Sequence, residues 1–139
     1  MDATTKVPTT NGSTIPVRAV GARAWLRVEG AATFGAGIAL YGWLGGPWLA
    51  VVPLLLVPDL SMVGYLAGPR AGALVYNAIH VSATGLAILG VGLATGVVGV
   101  SLAGAILLAH SGMDRLFGYG LKLPSGFNET HLGRIGRSR

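Results

Sequence analysis

The sequence predicts an all-α protein, a four-helix transmembrane bundle with its N- and C-termini in the cytoplasm. Three observations support this fold class. The chain of 139 residues is 52% hydrophobic and only 11% charged, whereas soluble domains carry about 25% charged residues. Its apolar residues form four runs, each near the length of about 20 residues that crosses a bilayer core. All basic residues fall on one side of the resulting pattern.

Glycine and proline mark the boundaries of the four apolar runs. The first run ends at Gly45-Gly46-Pro47, and the second ends at Gly68-Pro69-Arg70, because a proline and a charge favour a turn over a continuing helix. Ala94-Thr95-Gly96 is the turn between the last two runs. The predicted membrane domain therefore covers residues 21–123. Its four spans cover residues 25–43, 48–67, 71–93 and 97–117.

The two ends of the chain are polar and lie outside this domain. Residues 1–20 have too few apolar side chains to offset the entropy lost on ordering, so we expect them to be disordered. They also lack the pattern of a cleaved signal peptide. Residues 124–139 form a predicted basic tail. The chain has no cysteine, which excludes disulfides and cysteine-ligated zinc.

The distribution of Lys and Arg predicts the orientation of the bundle. Cytoplasmic loops of membrane proteins are enriched in these residues. Four spans place both ends and the Pro69-Arg70 turn on one side, and that side contains every basic residue. The net charge of +5 then follows from topology and from attraction to anionic membrane lipids, and no nucleic-acid partner is expected. The basic residues are Lys6, Arg18, Arg23, Arg27, Arg70, Arg115, Lys122, Arg134, Arg137 and Arg139.

Ionisable side chains from all four spans are expected in one layer near the cytoplasmic face. At about 1.5 Å per helical residue, Asp59 lies about 14 Å from the inner end of its span, and His80 about 16 Å. An isolated charge in hydrocarbon costs about 2.5–3.5 kcal/mol on insertion scales, so these groups should face one another. The layer comprises Glu29, Asp59, Asn77, His80, His110, Ser111 and Asp114.

Spacing within the spans supports this convergence. Asn77 and His80 are three residues apart, and His110 and Asp114 are four apart, so each pair shares a helical face. The deep histidine and carboxylate side chains are therefore the predicted centre of a site.

A proline precedes the acidic residue of the second span. Pro58 has no N–H to donate to the carbonyl four residues earlier, that of Leu54, and it is expected to kink the helix. The sequence therefore predicts a free backbone acceptor close to Asp59.

The predicted catalytic residues, which are also the predicted metal ligands, are Asp59, His80, His110 and Asp114. The predicted substrate-binding residues are Asn77, Arg115, Glu29 and Tyr65. His131 would join them if the tail folds back. Each also has a structural interpretation, since Glu29 can pair with Arg23 or Arg27, Asp114 can pair with Arg115, and buried polar pairs can simply fix helix register.

Four short motifs, taken in order, resemble one known family over about residues 24 to 136. That family is the small bacterial membrane-protein family catalogued as domain of unknown function 4260. The resemblance implies a multi-pass protein of the bacterial cytoplasmic (inner) membrane, and it implies no activity. The motifs are Pro58-Asp59-Leu60-Ser61-Met62-Val63-Gly64-Tyr65, then Tyr76-Asn77-Ala78-Ile79-His80, then His110-Ser111-Gly112-Met113-Asp114-Arg115 with Gly118-Tyr119-Gly120-Leu121-Lys122, and finally Thr130-His131-Leu132-Gly133.

A weaker likeness is to integral-membrane proteins described as metal-dependent hydrolases. These have a Pro-Asp pair that ends one helix, as Pro58-Asp59 does here, and a histidine pair in the following helices. They often place a second acidic residue two positions after the first, where this chain has Ser61.

Three functions are compatible with these observations. The first is an enzyme that acts at the cytoplasmic leaflet on a lipid, a polyprenyl compound or another amphiphilic substrate, which can be anionic. A divalent metal such as zinc would support hydrolysis, and a metal-free Asp/His pair would support isoprenoid isomerisation or cyclisation. The second is proton or ion transport, which would need a homo-oligomer because the outer halves of the spans lack charged residues. The third is a non-catalytic membrane module.

Overall fold

Within residues 17–136, the part of the chain that the computed structural model describes, the protein forms five α-helices and one small antiparallel sheet. The helices are α1 (Val17–Trp43), α2 (Val51–Leu56), α3 (Pro69–His80), α4 (Ser82–Thr95) and α5 (Val98–Phe117). The strands are β1 (Lys122–Leu123), β2 (Gly126–Thr130) and β3 (Gly133–Arg134), in the order β1-β2-β3. The predicted helical class is therefore confirmed.

Two helical boundaries differ from the prediction. Helix α1 begins at Val17, inside the segment 1–20 that was expected to be disordered, while residues 1–16 lie outside the described residues. The expected continuous span 71–93 is instead two helices, α3 and α4, which are bent by 50° at Val81.

Side chains account for the bend because they take over backbone acceptors at the break. The Thr84 hydroxyl donates to the carbonyl of Ala78 at 2.6 Å, and the Arg115 guanidinium donates to that of His80 at 3.4 Å. Val81 between them has extended backbone angles. Such local side-chain bonds compete with the helical ladder, and here they stabilise its interruption.

Among the described residues, the stretch Trp48–Ala67 alone is one unbroken helical segment long and apolar enough to cross a membrane. The bent α3–α4 pair qualifies as a second crossing only if it is counted as one span. Helices α1 and α5 are richer in glycine and charged residues than this segment. The four-span arrangement and its orientation therefore remain predictions.

The second half of the stretch 48–67 is a 3₁₀ helix over Val57–Ala67, an unusual length for this conformation. Its three residues per turn divide the sequence into three faces. Asp59, Met62 and Tyr65 lie on one face, and Pro58, Ser61 and Gly64 lie on the next. The third face is apolar and exposed, with exposed fractions of 51%, 70%, 65% and 88% for Val57, Leu60, Val63 and Leu66.

Helix α5 is the central helix and packs between α1 and α4. Glycines allow these backbones to approach closely, since a Cβ at Gly37 would overlap the backbone of Ala109, and one at Gly104 would overlap Leu89. The inward face of α5 includes the fully buried His110. The close packing therefore fixes the position of His110.

Part of the predicted basic tail, residues 124–139, forms strands β2 and β3, and the sheet packs on α3. The Asn77 side chain makes two hydrogen bonds to the backbone of Lys122, accepting from its N–H at 2.7 Å and donating to its carbonyl at 2.9 Å. Strand β1 is thereby fixed one helical turn from His80. The C-terminal segment becomes one wall of the cavity described below.

Candidate metal centre

Four predicted site residues meet at one point between the 3₁₀ helix, α3 and α5. Asp59 Oδ1 lies 3.4 Å from His80 Nε2 and 3.6 Å from His110 Nε2. Asp114 Oδ2 lies 4.0 Å from His80 Nε2, and its Oδ1 lies 3.9 Å from His110 Nε2. Both histidines are buried, and the Asp59 side chain is 38% exposed. Residues 55 positions apart in the chain thus form one cluster.

Hydrogen bonds at Nδ1 fix the tautomer of both histidines. His80 Nδ1 lies 2.8 Å from the carbonyl oxygen of Tyr76, and His110 Nδ1 lies 2.6 Å from that of Leu55. A carbonyl oxygen only accepts, so each Nδ1 carries the proton and donates. In the neutral ring each Nε2 then presents a lone pair toward the carboxylates. His110 Nε2 is buried without a hydrogen-bond partner among the described residues.

The Leu55 carbonyl is available to accept from His110 because Pro58 cannot donate to it. The Val57 N–H donates to the carbonyl of Leu54, so the acceptor predicted to be free is occupied. In the 3₁₀ helix a residue bonds three positions back rather than four, and Pro58 therefore leaves the carbonyl of Leu55 without its donor. The prediction of a free acceptor beside Asp59 was right in kind and wrong by one residue.

Asp114 is held in place by a tyrosine of α3. The Tyr76 hydroxyl donates to Asp114 Oδ2 at 2.8 Å, and the Tyr76 ring stacks on the His80 ring at 3.6 Å between centroids. The Tyr76 backbone carbonyl also accepts the bond from His80 Nδ1. One residue thus orients a histidine and a carboxylate, and the sequence reasoning missed it.

The separations within the cluster fit coordination of a metal better than direct hydrogen bonding. Charge-assisted N–H···O bonds are about 2.7–2.9 Å long, shorter than every distance in the cluster. Ligands about 2.0–2.1 Å from a tetrahedral zinc ion lie about 3.3 Å apart. One ligand atom each from Asp59, His80 and His110 lies within 4.8 Å of the others. A cation at their centre would pair with the lone pairs and carboxylate charge that otherwise face each other.

A pocket of about 330 Å³ opens beside the cluster. Asp59, Asp114 and Tyr76 are among its polar lining residues. Its other lining residues are Met62, Met113, Phe117, Tyr119, Lys122, Phe127 and Ile135. The pocket is therefore lined by apolar and aromatic side chains together with Lys122 and the two carboxylates of the cluster.

Lys122 is a pocket residue that the sequence reasoning used only for topology. Lys122 is 5% exposed, and its Nζ donates to the carbonyl of Phe127 at 2.9 Å. The ammonium also lies 4.2 Å from the centroid of the Phe127 ring and 5.3 Å from that of Tyr76. Burial lowers the pKa of Lys122, and the nearby charges of Asp114 and Asp59 act in the opposite direction. No spacing rule links position 122 to the cluster, so only the folded sheet reveals it.

The four predicted substrate-binding residues lie outside the cluster. The Asn77 amide is used by the Lys122 backbone, and the Arg115 guanidinium donates to the carbonyls of Tyr119 and His80. Glu29 is exposed and, within residues 21–136, makes no ion pair. Tyr65 packs edge-on against Phe127, 5.1 Å between centroids. These contacts give Asn77 and Arg115 structural tasks.

His131 does not join the cluster although the tail folds back. Its Nδ1 accepts a hydrogen bond from the backbone N–H of Leu121 at 2.8 Å. It therefore joins the residue before β1 to the residue after β2.

Comparison with known proteins matches residues 23–135 to the family described as Domain of unknown function (DUF4260). This range includes every residue of the cluster and of its pocket. No curated protein and no solved structure matches the chain.

Proposed function

We propose a function for this chain, which belongs to the DUF4260 family, from the geometry of its cluster. In this proposal the protein is an integral-membrane, metal-dependent hydrolase that cleaves an ester bond of an amphiphilic substrate. The metal is a divalent ion such as zinc, held by Asp59, His80 and His110. The observation that supports this most strongly is the pair of imidazole rings whose Nδ1 atoms are fixed by carbonyls and whose Nε2 atoms face one carboxylate oxygen.

Three protein ligands suit a catalytic rather than a purely structural zinc site. Structural sites use four protein ligands, whereas catalytic sites use three and keep one position for water or substrate. The Nδ1–H···O=C bonds are the supporting interactions that metal-binding histidines usually make, because they set the tautomer and raise the basicity of Nε2. The cluster meets both conditions.

Asp114 is the proposed general base. Its carboxylate oxygens lie 4.0 Å from His80 Nε2 and 3.9 Å from His110 Nε2, close enough to contact a water molecule bound between the histidines. Asp114 also lines the pocket. A metal in the cluster would supply Lewis acidity toward water and the ester oxygen. Asp114 accepts a proton from water as the water oxygen bonds to the ester centre. The bond to the leaving oxygen breaks, and Asp114 returns the proton to it, so that ester and water give acid and alcohol.

The surface of the protein supports insertion in a membrane. Only 6% of the apolar window in Trp48–Ala67 is buried inside the protein, and Leu49, Leu66 and Leu74 are exposed by 97%, 88% and 72%. Exposed apolar surface of this extent indicates a lipid or protein interface. We propose four crossings, with α3 and α4 forming one bent span, and both termini on the cytoplasmic side of a bacterial inner membrane.

Topology can be tested directly because the chain has no cysteine of its own. Leu49→Cys marks the outer end of the second span, and Ser125→Cys marks the turn between β1 and β2; both positions are exposed. In intact cells we expect a membrane-impermeant maleimide to label Leu49→Cys and not Ser125→Cys. Equal labelling of both variants, or the reverse pattern, would contradict the proposed orientation.

Hydrolysis is tested with purified protein in lipid nanodiscs, supplied with zinc and a panel of lipid esters. We expect turnover that a chelator abolishes and zinc restores. Asp114→Asn should lower kcat by about 10²–10⁴-fold, the usual contribution of a general base, while zinc still binds. His131→Ala is the control, because His131 lies outside the cluster.

Other outcomes would favour the remaining functions. Zinc-independent turnover that Asp59→Asn abolishes would favour acid–base isomerisation. Proton flux into liposomes, also abolished by Asp59→Asn, would favour transport. Absence of turnover, with zinc affecting only thermal stability, would favour a structural metal in a non-catalytic module.

A further inference from the structure

The pocket beside the cluster contains a buried ammonium that the hydrolysis step does not use. Lys122 Nζ has three N–H donors, and one donates to the carbonyl of Phe127. Within the described residues, no carboxylate oxygen lies within 4.0 Å of it. The two aromatic rings beside it compensate only in part for the water it has lost. A buried ammonium in this state is a favourable partner for an anion.

The backbone that bears this ammonium is fixed on α3, and the ammonium itself is held by its bond to Phe127. The two hydrogen bonds between the Asn77 amide and the Lys122 backbone join β1 to α3. His80 lies one turn further along the same helix, so the ammonium and the metal cluster have a set separation. Lys122 and the two carboxylates of the cluster, Asp59 and Asp114, line one pocket of about 330 Å³, so a small anionic group in it lies beside both the ammonium and the cluster.

We infer that the substrate is a phosphate ester of an apolar alcohol, with one phosphate oxygen at Lys122 Nζ and another at the metal cluster. This inference rests on the proposed hydrolase function and names its substrate class. A carboxylic ester is neutral and would leave the ammonium without an anion in direct contact. A phosphate ester contains the negative charge and the scissile bond in the same group, which suits the Lys122 ammonium and a metal cation held by the cluster.

The walls of the pocket accommodate the apolar alcohol. Met62, Met113 and Ile135 line it, and Phe117 and Phe127 lie at its rim with exposed fractions of 63% and 46%. The volume is sufficient for the phosphate and the first part of a chain, and the exposed rim leaves the rest of the chain in the lipid. Water then attacks phosphorus, the bond from phosphorus to the alcohol oxygen breaks, and inorganic phosphate and the alcohol leave.

The first test uses the wild-type protein and compares probes with the same chain. Dodecyl phosphate, dodecanol and dodecyltrimethylammonium are titrated into zinc-loaded protein in phosphatidylcholine nanodiscs, with calorimetric detection. We expect dodecyl phosphate to bind at least about tenfold more tightly than dodecanol, since hydrogen bonds between charged groups exceed neutral ones by at least this factor. Equal binding of dodecyl phosphate and dodecanol, or tighter binding of the cationic probe, overturns the inference.

The second test removes the ammonium while keeping the bulk of its side chain. Lys122→Met should weaken dodecyl phosphate binding by about tenfold or more and leave dodecanol binding unchanged. Lys122→Arg should retain most of the affinity, and it serves as the working variant if Lys122→Met does not fold. Arg70→Met removes the same charge from an exposed position at the start of α3, and we expect it to bind like the wild type. An equal loss in Arg70→Met would identify general surface attraction and overturn the inference.

Repeating the titrations without zinc separates this inference from the proposed function. A phosphate preference that depends on Lys122 in a protein that binds no zinc supports the anion site and contradicts the metal site. Normal zinc binding, with Lys122→Met and wild type equal toward dodecyl phosphate, contradicts the anion site and leaves the metal site standing. Free inorganic phosphate, titrated in parallel, is expected to bind more weakly than dodecyl phosphate because the apolar walls are left unfilled.

Discussion

Both histidines of the cluster bind a carbonyl through Nδ1 and face Asp59 with Nε2, but they obtain this arrangement in different ways. His80 lies at the end of α3, and its Nδ1 donates to Tyr76, one turn earlier on the same helix. His110 lies within α5, and its Nδ1 donates to Leu55, 55 residues away in another segment. One half of the site is therefore built by local helical geometry. The other half depends on tertiary packing and on a proline that leaves an acceptor free, so the two halves should respond differently to substitution.

The largest effect is expected when either imidazole is removed. His80→Ala or His110→Ala deletes a metal ligand, and zinc affinity should fall by more than the 10- to 100-fold that supporting residues typically contribute. Competition with a chelator of known affinity measures this. His131→Ala is the matched control and should bind zinc like the wild type. Unchanged affinity in both cluster variants would show that the metal, if any, lies elsewhere.

Restoring the missing backbone donor should weaken only the His110 half. Pro58→Ala supplies an N–H that can donate to the carbonyl of Leu55 and compete with His110 Nδ1. We expect zinc affinity to fall by about 10- to 100-fold, the range for a supporting hydrogen bond. Pro53→Ala, an exposed proline of α2, is the control and should have little effect. Identical zinc affinity in the two proline variants would contradict the role assigned to the Leu55 carbonyl.

On the His80 side, one hydroxyl can be removed without disturbing the histidine. Tyr76→Phe keeps the ring and the backbone carbonyl but removes the bond to Asp114. Because Asp114 is then less well oriented, kcat should fall by about tenfold while KM and zinc affinity change by less than about threefold. Steady-state kinetics together with zinc titration measure both. A loss of zinc affinity without a change in kcat would make Tyr76 part of the metal site instead.

The smallest effect is expected at the helix break next to His80. Arg115→Met removes the donors to the carbonyls of His80 and Tyr119, and the free energy of unfolding should fall by about 1–2 kcal/mol, the usual value of two hydrogen bonds of which one is long. Chemical denaturation measures this, with Arg70→Met as the control for loss of an arginine. If dodecyl phosphate binding falls in Arg115→Met while stability does not, Arg115 binds the substrate as the sequence first suggested.

The sequence predicted the helical class and the four members of the cluster because both follow from local rules. Deep ionisable groups must face one another, and spacings of three and four residues place them on shared helical faces. The apolar residues Val57, Leu60, Val63 and Leu66 even show the three-residue period of the 3₁₀ helix, a signal that was present in the sequence. An α-helical interpretation of that segment led to the wrong free carbonyl.

The remaining features depend on contacts that no spacing rule contains. The break at Val81 results from donors on Thr84 and Arg115, which lie on two different helices. Lys122 enters the pocket because Asn77 binds its backbone from 45 positions earlier in the chain. Tyr76 orients Asp114 through a hydrogen bond between residues 38 positions apart in the chain. These are tertiary contacts, and they determine the shape and lining of the pocket rather than the identity of the metal ligands.

The central claim is that Asp59, His80 and His110 bind one metal ion, and zinc X-ray absorption spectroscopy tests it most directly. Protein loaded with zinc and freed of excess metal should contain one zinc per chain. Its spectrum should show about four N/O ligands at about 2.0–2.1 Å, with the outer-shell scattering of two imidazoles. The Asp59→Asn variant should keep both imidazoles if it binds zinc at all. A spectrum without imidazole scattering, or a zinc content no higher than that of the His80→Ala/His110→Ala double variant, would contradict the claim.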